Sequence, residues 1–454
     1  MSAENGGTVE DLLGCAHPIV LAGMGGVARS ELVAAVTEAG GFGFLGMVRE
    51  PVTLITREVE ALRAAGHANF GVNIIPAATE RGLLDRQVDA IIALGVPVVM
   101  LFWAVDAGIV RRFRDAGITV VHQVGAPGEA REAVDAGAQA VIAQGCEAGG
   151  HVRGTTPLRH LLPAVCEAVD VPVLAAGGLA TGADLVTARA LGAAGIVLGT
   201  ALIAATESFA HAHHRERLVA AGPGDTLLTD TFHVNWPDGA TVRVLTSAVT
   251  EGARGDPRAA APEVIGEEEG RPIYLFSTDS PLRSMSGDFE AMALYAGTGV
   301  GAVTAVRPAA AIVGDILSQA KALAPTTHGL ADLPGQSASP VCYAGEMGGA
   351  YMGLLDEGEA AAETAAIVAM LLGALATALD SQGDAPNRPP FAATDLRLAR
   401  HILALRPFAC DRKMPIADAP PSAIAKKVRD LLPRLPENAR RRALLALAGD
   451  LEAV

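Results

Sequence analysis

The chain has 454 residues, of which 50% are hydrophobic, and it carries a formal net charge of -15 with a pI near 5.2. This length allows one large buried core and a smaller second one, and the acidic balance argues against a nucleic-acid partner, which would require clustered Lys and Arg. An uncharged stretch at residues 364–379 is short for a membrane span, and the N-terminus lacks a signal-peptide pattern. With five scattered cysteines and no zinc-site spacing, we expect a cytoplasmic protein with reduced thiols and no metal site.

Short apolar runs alternate with segments of helical period between residues 19 and 202, and Gly or Pro marks each change. This alternation is typical of βα units that build a parallel sheet. The predicted strands are residues 19–24, 42–47, 70–75, 97–103, 119–124, 140–143, 172–176 and 195–199. Eight units at a spacing of roughly 25 residues predict an α/β fold, a (β/α)8 TIM barrel, with an open doubly wound sheet as the alternative.

Helix-length segments connect these strands at residues 30–39, 83–94, 129–136, 158–169 and 183–191, with Ser30 and Thr181 in N-cap positions. Residues 222–292 break the pattern with strand-like segments at 226–236 and 241–249. They predict an insertion after the eighth strand that forms a lid. A helix at 308–323 would complete the barrel. We therefore expect a barrel domain over residues 1–324 and a helical extension over 325–454, through which the chain can bind a second copy or a partner protein.

The seventh and eighth predicted strands both end in glycine turns. Residues 173–178 read Val-Leu-Ala-Ala-Gly-Gly, and residues 196–200 read Ile-Val-Leu-Gly-Thr. TIM barrels frequently hold a phosphate at these two turns, where free backbone N–H groups and a helix N-terminus face the anion. The candidate phosphate-binding residues are Ala176, Gly177, Gly178, Gly199 and Thr200. Two ordinary strand-to-helix turns are the alternative interpretation.

The sixth predicted strand is followed by Gln144-Gly-Cys-Glu-Ala-Gly-Gly-His151. Glycines let the backbone approach a flat ligand closely, and histidine titrates near neutral pH. The loop therefore favours a flavin or nucleotide beside a proton-handling residue. A plain turn that His151 only caps is the alternative.

Taken in order, these segments resemble the nitronate monooxygenase family, formerly called 2-nitropropane dioxygenases, over about residues 15–324. The segments that carry the resemblance are 22–24, 71–73, 144–151, 175–178, 199–200 and 295–301. The resemblance implies an FMN-containing barrel that oxidises alkyl nitronates, small-molecule substrates, with O₂ to carbonyl compounds and nitrite. It implies no nucleic-acid or membrane partner.

The resemblance also implies roles for individual residues, with His151 as the catalytic acid or base. Either state of its imidazole is expected to be within reach of neutral pH. The turn residues named above would bind FMN together with Ala22, Gly23, Met24, Asn73, Gln123, Gln144, Gly149 and Gly150. Aromatic residues at strand ends would line the substrate pocket or belong to the core, and these are Phe102, Trp103 and Tyr295.

Three residues near the loop are interpreted as structural. His122 precedes Gln123 on a strand, so alternation predicts that it points away from the ligand. Glu147 is expected to brace its loop or to act as a second acid or base, and Cys146 is expected to pack rather than react.

Four further residues have two interpretations each. The polar helix that carries His211, His213 and His214 is predicted to be a solvated face, with metal binding as the alternative. Arg153 is expected to be exposed, with pairing to an anionic substrate group as the alternative.

Two other functions stay open at this point. FMN-dependent reductases that use NADH or NADPH, of the enoyl-acyl-carrier-protein or quinone type, resemble the same barrel and share the Gly-Gly-His loop. The absence of a readable dinucleotide fingerprint does not discriminate against them. The third possibility is a non-catalytic flavin-binding scaffold whose C-terminal extension is an interaction module.

Overall fold

The computed structural model describes residues 8–237, 239–258 and 263–323. In chain order its strands are β1 (Ile19–Leu21), β2 (Phe42–Gly46), β3 (Gly71–Ile74), β4 (Val98–Phe102), β5 (Thr119–Val124), β6 (Ala140–Gln144), β7 (Gly150–Val152), β8 (Val173–Ala176), β9 (Gly195–Leu198), β10 (Thr226–Thr229), β11 (Thr241–Leu245), β12 (Val264–Glu268), β13 (Arg271–Tyr274) and β14 (Met285–Gly287).

Within the described residues, helices alternate with the strands up to β9, except that β7 follows β6 directly. They are α1 (Val9–Leu13), α2 (Ser30–Glu38), α3 (Val52–Ala64), α4 (Arg81–Ala93), α5 (Ala107–Asp115), α6 (Pro127–Ala136), α7 (Leu158–Ala168), α8 (Gly182–Ala190), α9 (Thr200–Ile203), α10 (Ala212–Ala220) and α11 (Ala309–Leu323). None of the helices in these ranges has the length and apolar character needed to cross a bilayer.

Eight parallel strands close into a barrel in the order β1-β2-β3-β4-β5-β6-β8-β9. The first strand pairs with the last, Val20 opposite Val197, so the sheet has no free edge. The predicted TIM barrel is confirmed, and the open doubly wound sheet is excluded because such a sheet would leave these two strands unpaired.

Apolar side chains fill the barrel in the alternating pattern that a strand requires. The interior cluster includes Val20, Phe44, Met100, Val121, Ile142, Leu174 and Val197. Val9 and Leu13 of α1 belong to the same cluster, so this short helix plugs the end at which the strands begin. The intervening residues of each strand face the outer helices and form a second, larger cluster. Because the interior is apolar, the polar residues that line a cavity are found at the carboxyl ends of the strands.

The two predicted N-caps have different outcomes. Thr181 caps α8 in a capping box with Asp184, as expected. Ser30 is wrong as an N-cap, because Arg29 occupies that position without a side-chain cap. The N–H and hydroxyl of Ser30 instead donate to the Glu58 carboxylate of α3, at 2.9 and 2.7 Å.

The insertion forms two antiparallel three-stranded sheets, ordered β10-β11-β7 and β13-β12-β14. The first sheet includes β7, which belongs to the Gly-Gly-His loop and was not predicted as a strand. The predicted strand-like segments at 226–236 and 241–249 shorten to β10 and β11, which pair with each other from Thr226 opposite Leu245 to Thr229 opposite Val242. The extension predicted for residues 325–454 lies outside the described residues.

Candidate functional site

A cavity of about 550 Å³ opens where the barrel strands end. One wall is built from strand ends and the loops that follow them. The opposite wall comes from the insertion and includes Trp236, Arg271 and Asp279. The insertion therefore contributes directly to the site, as expected of a lid.

The residues predicted from the sequence converge on this cavity. Its wall contains Ala22, Gly23, Met24, Asn73, Phe102, Gln123, Gln144, Gly149, Gly150, His151, Ala176, Gly177, Gly178, Gly199, Thr200 and Tyr295. Trp103 does not line the cavity, and its core interpretation applies: it packs in an apolar cluster with Phe102 and Trp236, its ring centroid 5.5 Å from that of Trp236. It lies just beyond the end of β4 with a left-handed φ of 80°, so the alternation of a strand does not set its direction.

Three glycines form the part of the wall that is suited to an anion. Gly177 and Gly178 have left-handed φ values of 120° and 71°, which side-chain-bearing residues rarely adopt. Within the described residues, the backbone N–H groups of Gly177, Gly178 and Gly199 have no hydrogen-bond acceptor. Such unpaired N–H groups at a strand-to-helix turn are the donors that a phosphate requires. Thr200 also stabilises the turn, since its hydroxyl accepts a hydrogen bond from the Gly297 N–H at 2.9 Å.

The side-chain amides that are predicted to bind a ligand differ in which of their polar atoms are free to form a hydrogen bond. The Asn73 side-chain N–H donates to the Met100 carbonyl at 3.1 Å, which leaves the side-chain oxygen available to a ligand. Gln123 has no side-chain hydrogen bond within the described ranges and lies on the cavity wall.

Gln144 lies on the wall but chiefly holds the Gly-Gly-His loop. Its amide N–H donates to the His151 carbonyl at 2.8 Å, and its oxygen accepts the Arg153 N–H at 3.1 Å. Both kinds of polar atom on Gln144 are therefore engaged with β7 and the residue that follows it. Gln144 is better described as a support for His151 than as a ligand of the cofactor.

His151 is fixed from several sides. It pairs with Val242 in the β7–β11 ladder, and its ring stacks on Trp236 with centroids 3.4 Å apart. The ring faces the cavity, but its Nε2 atom is buried and has no hydrogen-bond partner among the described residues. Burial, with a smaller contribution from Arg49, lowers the pKa of His151 to about 3. The neutral imidazole is therefore the form present near neutral pH, in contrast to the expectation that both states are accessible.

The Gly-Gly-His loop is braced as its sequence indicates. Both Glu147 carboxylate oxygens accept the Leu158 N–H, at 3.1 and 2.9 Å, so the loop is tied to the start of α7. Gly149 packs so closely that an added Cβ would lie 2.5 Å from the Gly297 nitrogen. Burial raises the pKa of the Cys146 thiol, which agrees with a packing role.

His122 also has the structural role that alternation predicts. It is fully buried, its Nδ1 lies 3.0 Å from the Gln123 carbonyl, and it is absent from the cavity wall. Burial lowers its pKa to about 4.

The prediction that the polar helix α10 presents its histidines to solvent is wrong. His214 is fully buried, and its Nε2 lies 3.0 Å from the Tyr295 carbonyl. The Nε2 of His213 lies 2.8 Å from a carboxylate oxygen of Glu290, whereas His211 caps the helix by accepting the His213 N–H. Helical period alone did not reveal that the insertion covers this helix.

Arg153 is neither exposed nor placed on the cavity wall. Its guanidinium pairs with Glu129 at 2.8 Å and lies over the Trp103 ring. Arg153 therefore stabilises the outer side of the Gly-Gly-His loop.

A group of charged residues on the wall was not predicted: Arg49, Glu50, Glu268, Arg271 and Asp279. Arg49 and Glu50 lie in the loop that follows the second predicted strand, at the same end of the barrel as Asn73 and Gln123, so a search of the loops after strand ends could have found them. The other three lie in the insertion, where no periodic pattern points to them.

The similarity to known proteins covers the barrel and its insertion. A family model described as nitronate monooxygenase matches residues 8–319. The chain is 35% identical over 252 residues to (3aS,4S,5R,7aS)-5-hydroxy-7a-methyl-1-oxo-octahydro-1H-indene-4-carboxyl-CoA dehydrogenase of Mycobacterium tuberculosis, which covers 55% of this chain and 68% of that protein.

Two solved structures share the fold over most of their length. FabK from Thermotoga maritima superposes with a TM-score of 0.58 at 30% identity and covers 70% of this chain and 97% of its own. Nitroalkane oxidase from Streptomyces ansochromogenes superposes with a TM-score of 0.57 at 29% identity, covering 69% of this chain and 98% of its own.

Proposed function

We propose that this chain, which belongs to the nitronate monooxygenase family of flavin-dependent oxidoreductases, oxidises alkyl nitronates with O₂ to carbonyl compounds and nitrite. Because the family consists of enzymes, the non-catalytic scaffold is set aside. The observation that carries the proposal is the presence, on one cavity wall, of a buried His151 nitrogen without a partner and of three glycine N–H groups without acceptors.

FMN is the cofactor that these residues fit. The N–H groups of Gly177, Gly178 and Gly199 would hold its phosphate, and the Asn73 oxygen and Gln123 amide would bind polar atoms of the flavin. When bound, FMN supplies the electron transfer between the nitronate and oxygen. The protein contributes binding, orientation and control of protons.

His151 begins its cycle neutral, so we assign it the role of a base. Its unpartnered Nε2 can accept the proton that a nitroalkane loses from its α carbon, which yields the nitronate. The Trp236 ring on one side and Tyr295, with its centroid 5.5 Å away, hold the imidazole and limit access of water. A substrate supplied as a nitronate has already lost this proton.

The role of His151 is tested by comparing His151→Ala with the wild type on a nitroalkane and on the matching nitronate. Because general base catalysis contributes about 100- to 10,000-fold, kcat on 2-nitropropane should fall by about that factor, and kcat on propyl-2-nitronate should fall much less. His160→Ala, at an exposed histidine, is the matched control. Full turnover of both substrates by His151→Ala would contradict the assignment.

The second candidate function is an FMN-dependent oxidoreductase that uses NADH or NADPH. It is favoured by the similarity to the M. tuberculosis protein, whose name describes a dehydrogenase of a carboxyl-CoA compound. Anaerobic mixing of the purified protein with propyl-2-nitronate, propionate-3-nitronate and NADH in separate cuvettes distinguishes the two. Loss of the yellow flavin absorbance with a nitronate and not with NADH supports the proposed function, and the reverse result supports the second candidate.

A further inference from the structure

Arg49 is a cation on the cavity wall that has no carboxylate partner in the described part of the chain. Its guanidinium donates to the Asn235 carbonyl at 2.9 Å and to the Thr278 hydroxyl at 3.4 Å, and both acceptors are neutral. The other arginine among the described lining residues, Arg271, pairs with Glu268 and Asp279. The charge of Arg49 is therefore not cancelled in the way that the charge of Arg271 is.

The neighbouring carboxylate does not serve as its partner. Glu50 instead pairs with Arg29 at 3.1 Å, and burial raises the pKa of Glu50. Within the described ranges Glu50 forms no hydrogen bond or ion pair with Arg49, whose charge acts only at longer range to lower the pKa of Glu50. A guanidinium placed like this in a partly buried cavity is best stabilised by an anion that arrives with the ligand.

The charge of Arg49 acts at the catalytic histidine. It contributes to the lowered pKa of His151. It also acts to lower the pKa of Tyr295, against the larger effect of burial, which raises that pKa. In both cases the positive charge favours the more negative form of the side chain. The space beside these two rings is therefore a favourable place for an anion.

The backbone keeps Arg49 in this position. Its φ of 60° lies in the left-handed region, which arginine seldom adopts, and Asn235, to which it bonds, has a φ of 71°. The hydrogen bonds to Asn235 and Thr278 fix the guanidinium between the barrel and the insertion. A fixed planar fork is suited to a planar pair of anionic oxygens.

We propose that Arg49 is the specificity-determining residue that selects an anionic substrate by binding a planar pair of oxygens, those of the nitronate itself or of a carboxylate on the same molecule. The identification of the reacting group as a nitronate rests on the proposed function, whereas the preference for an anion rests on Arg49. The two are therefore tested separately.

The anion preference is measured without turnover, as dissociation constants of propionate and of neutral propionamide obtained by ligand-observed NMR on the full chain. Loss of a charge-assisted hydrogen bond predicts that Arg49→Gln weakens propionate binding by about 10- to 100-fold. Propionamide binding should change by less than about 2-fold, because a neutral amide gains little from the charge. Arg111→Gln removes an exposed arginine of α5 and controls for the change in net charge.

Arg49→Lys keeps the charge and removes the planar fork, so it should bind propionate with intermediate affinity. If Arg49→Gln weakens propionate and propionamide equally, and lowers Tm, Arg49 only ties the insertion to the barrel and the proposal is overturned. Unchanged propionate binding in both variants overturns it as well.

Steady-state kinetics then identify the group that Arg49 binds. A rise in KM for propionate-3-nitronate alone assigns Arg49 to the carboxylate, and an equal rise for propyl-2-nitronate assigns it to the nitronate. A rise for neither contradicts the proposal. If the wild type oxidises neither compound, the proposed function fails, and the comparison of propionate with propionamide still decides the role of Arg49.

Discussion

Acidification from pH 7 to pH 5 should destabilise the barrel through three buried histidines. Burial lowers the pKa of His122 and of His214 to about 4 and that of His151 to about 3 in the folded chain, from the ordinary value of 6.5. The unfolded chain therefore binds protons in this pH range that the folded chain does not. Stability is present above about pH 6.5 and is lost as the pH falls toward 4.

The size of the loss follows from the three pKa values. One unit of pKa difference corresponds to about 1.4 kcal/mol, so each histidine should remove about 2 kcal/mol between pH 7 and pH 5. The three together should remove about 6 kcal/mol, a large part of the roughly 5–15 kcal/mol that stabilises a typical protein.

Urea unfolding at several pH values, followed by tryptophan fluorescence, measures this loss. The sequence contains two tryptophans, Trp103 and Trp236, and both lie in the described residues, so the signal reports on the barrel and its insertion. His214→Gln should remove about a third of the pH dependence, and His160→Gln, at an exposed position, should leave it unchanged. A free energy of unfolding that is constant from pH 7 to pH 5 would refute the reasoning.

Three further outcomes are expected. The pH profile of kcat/KM should show no inflection near 6.5, because burial lowers the pKa of His151 to about 3; an inflection there would place the imidazole in a solvated site. Gly149→Ala should destabilise the chain by roughly 1–3 kcal/mol and weaken flavin retention, because the new methyl group meets the Gly297 nitrogen; an unchanged Tm and flavin content would contradict the contact. Glu147→Gln should cost roughly 1 kcal/mol in thermal or urea unfolding, since a charged acceptor for the Leu158 N–H is lost, and an unaltered midpoint would argue against the brace.

The barrel and half of the site could be predicted because both follow from short-range rules. Parallel strands read as apolar runs, and their ends meet at one face of the barrel. Asn73, Gln123 and the glycines of the last two turns do lie on the wall of one cavity, as these rules predict. Trp103 shows where the rules stop, since it follows β4 with a left-handed φ of 80° that no strand pattern predicts.

The remaining half depends on contacts between distant parts of the chain. Trp236 and Arg271 lie in the insertion, whose strand-like segments do not indicate which part of the barrel they cover, so no local pattern brings these two residues to His151. The burial of His214 likewise requires the segment around Tyr295, which is far away in sequence. Local patterns can place a residue on a strand end, but they do not identify what covers it.

The short strand β7 has a consequence for how the protein acquires its site. Its ladder partner is in β11, and Thr241 and Val152, which face each other there, are 89 residues apart in sequence. Contacts between such distant residues require a large loop to close and therefore tend to form slowly. Helices need only local contacts, so a nascent or refolding chain should regain its helices before β7 pairs with β11 and holds His151 in place. Recovery of enzymatic activity should therefore lag behind recovery of helical structure.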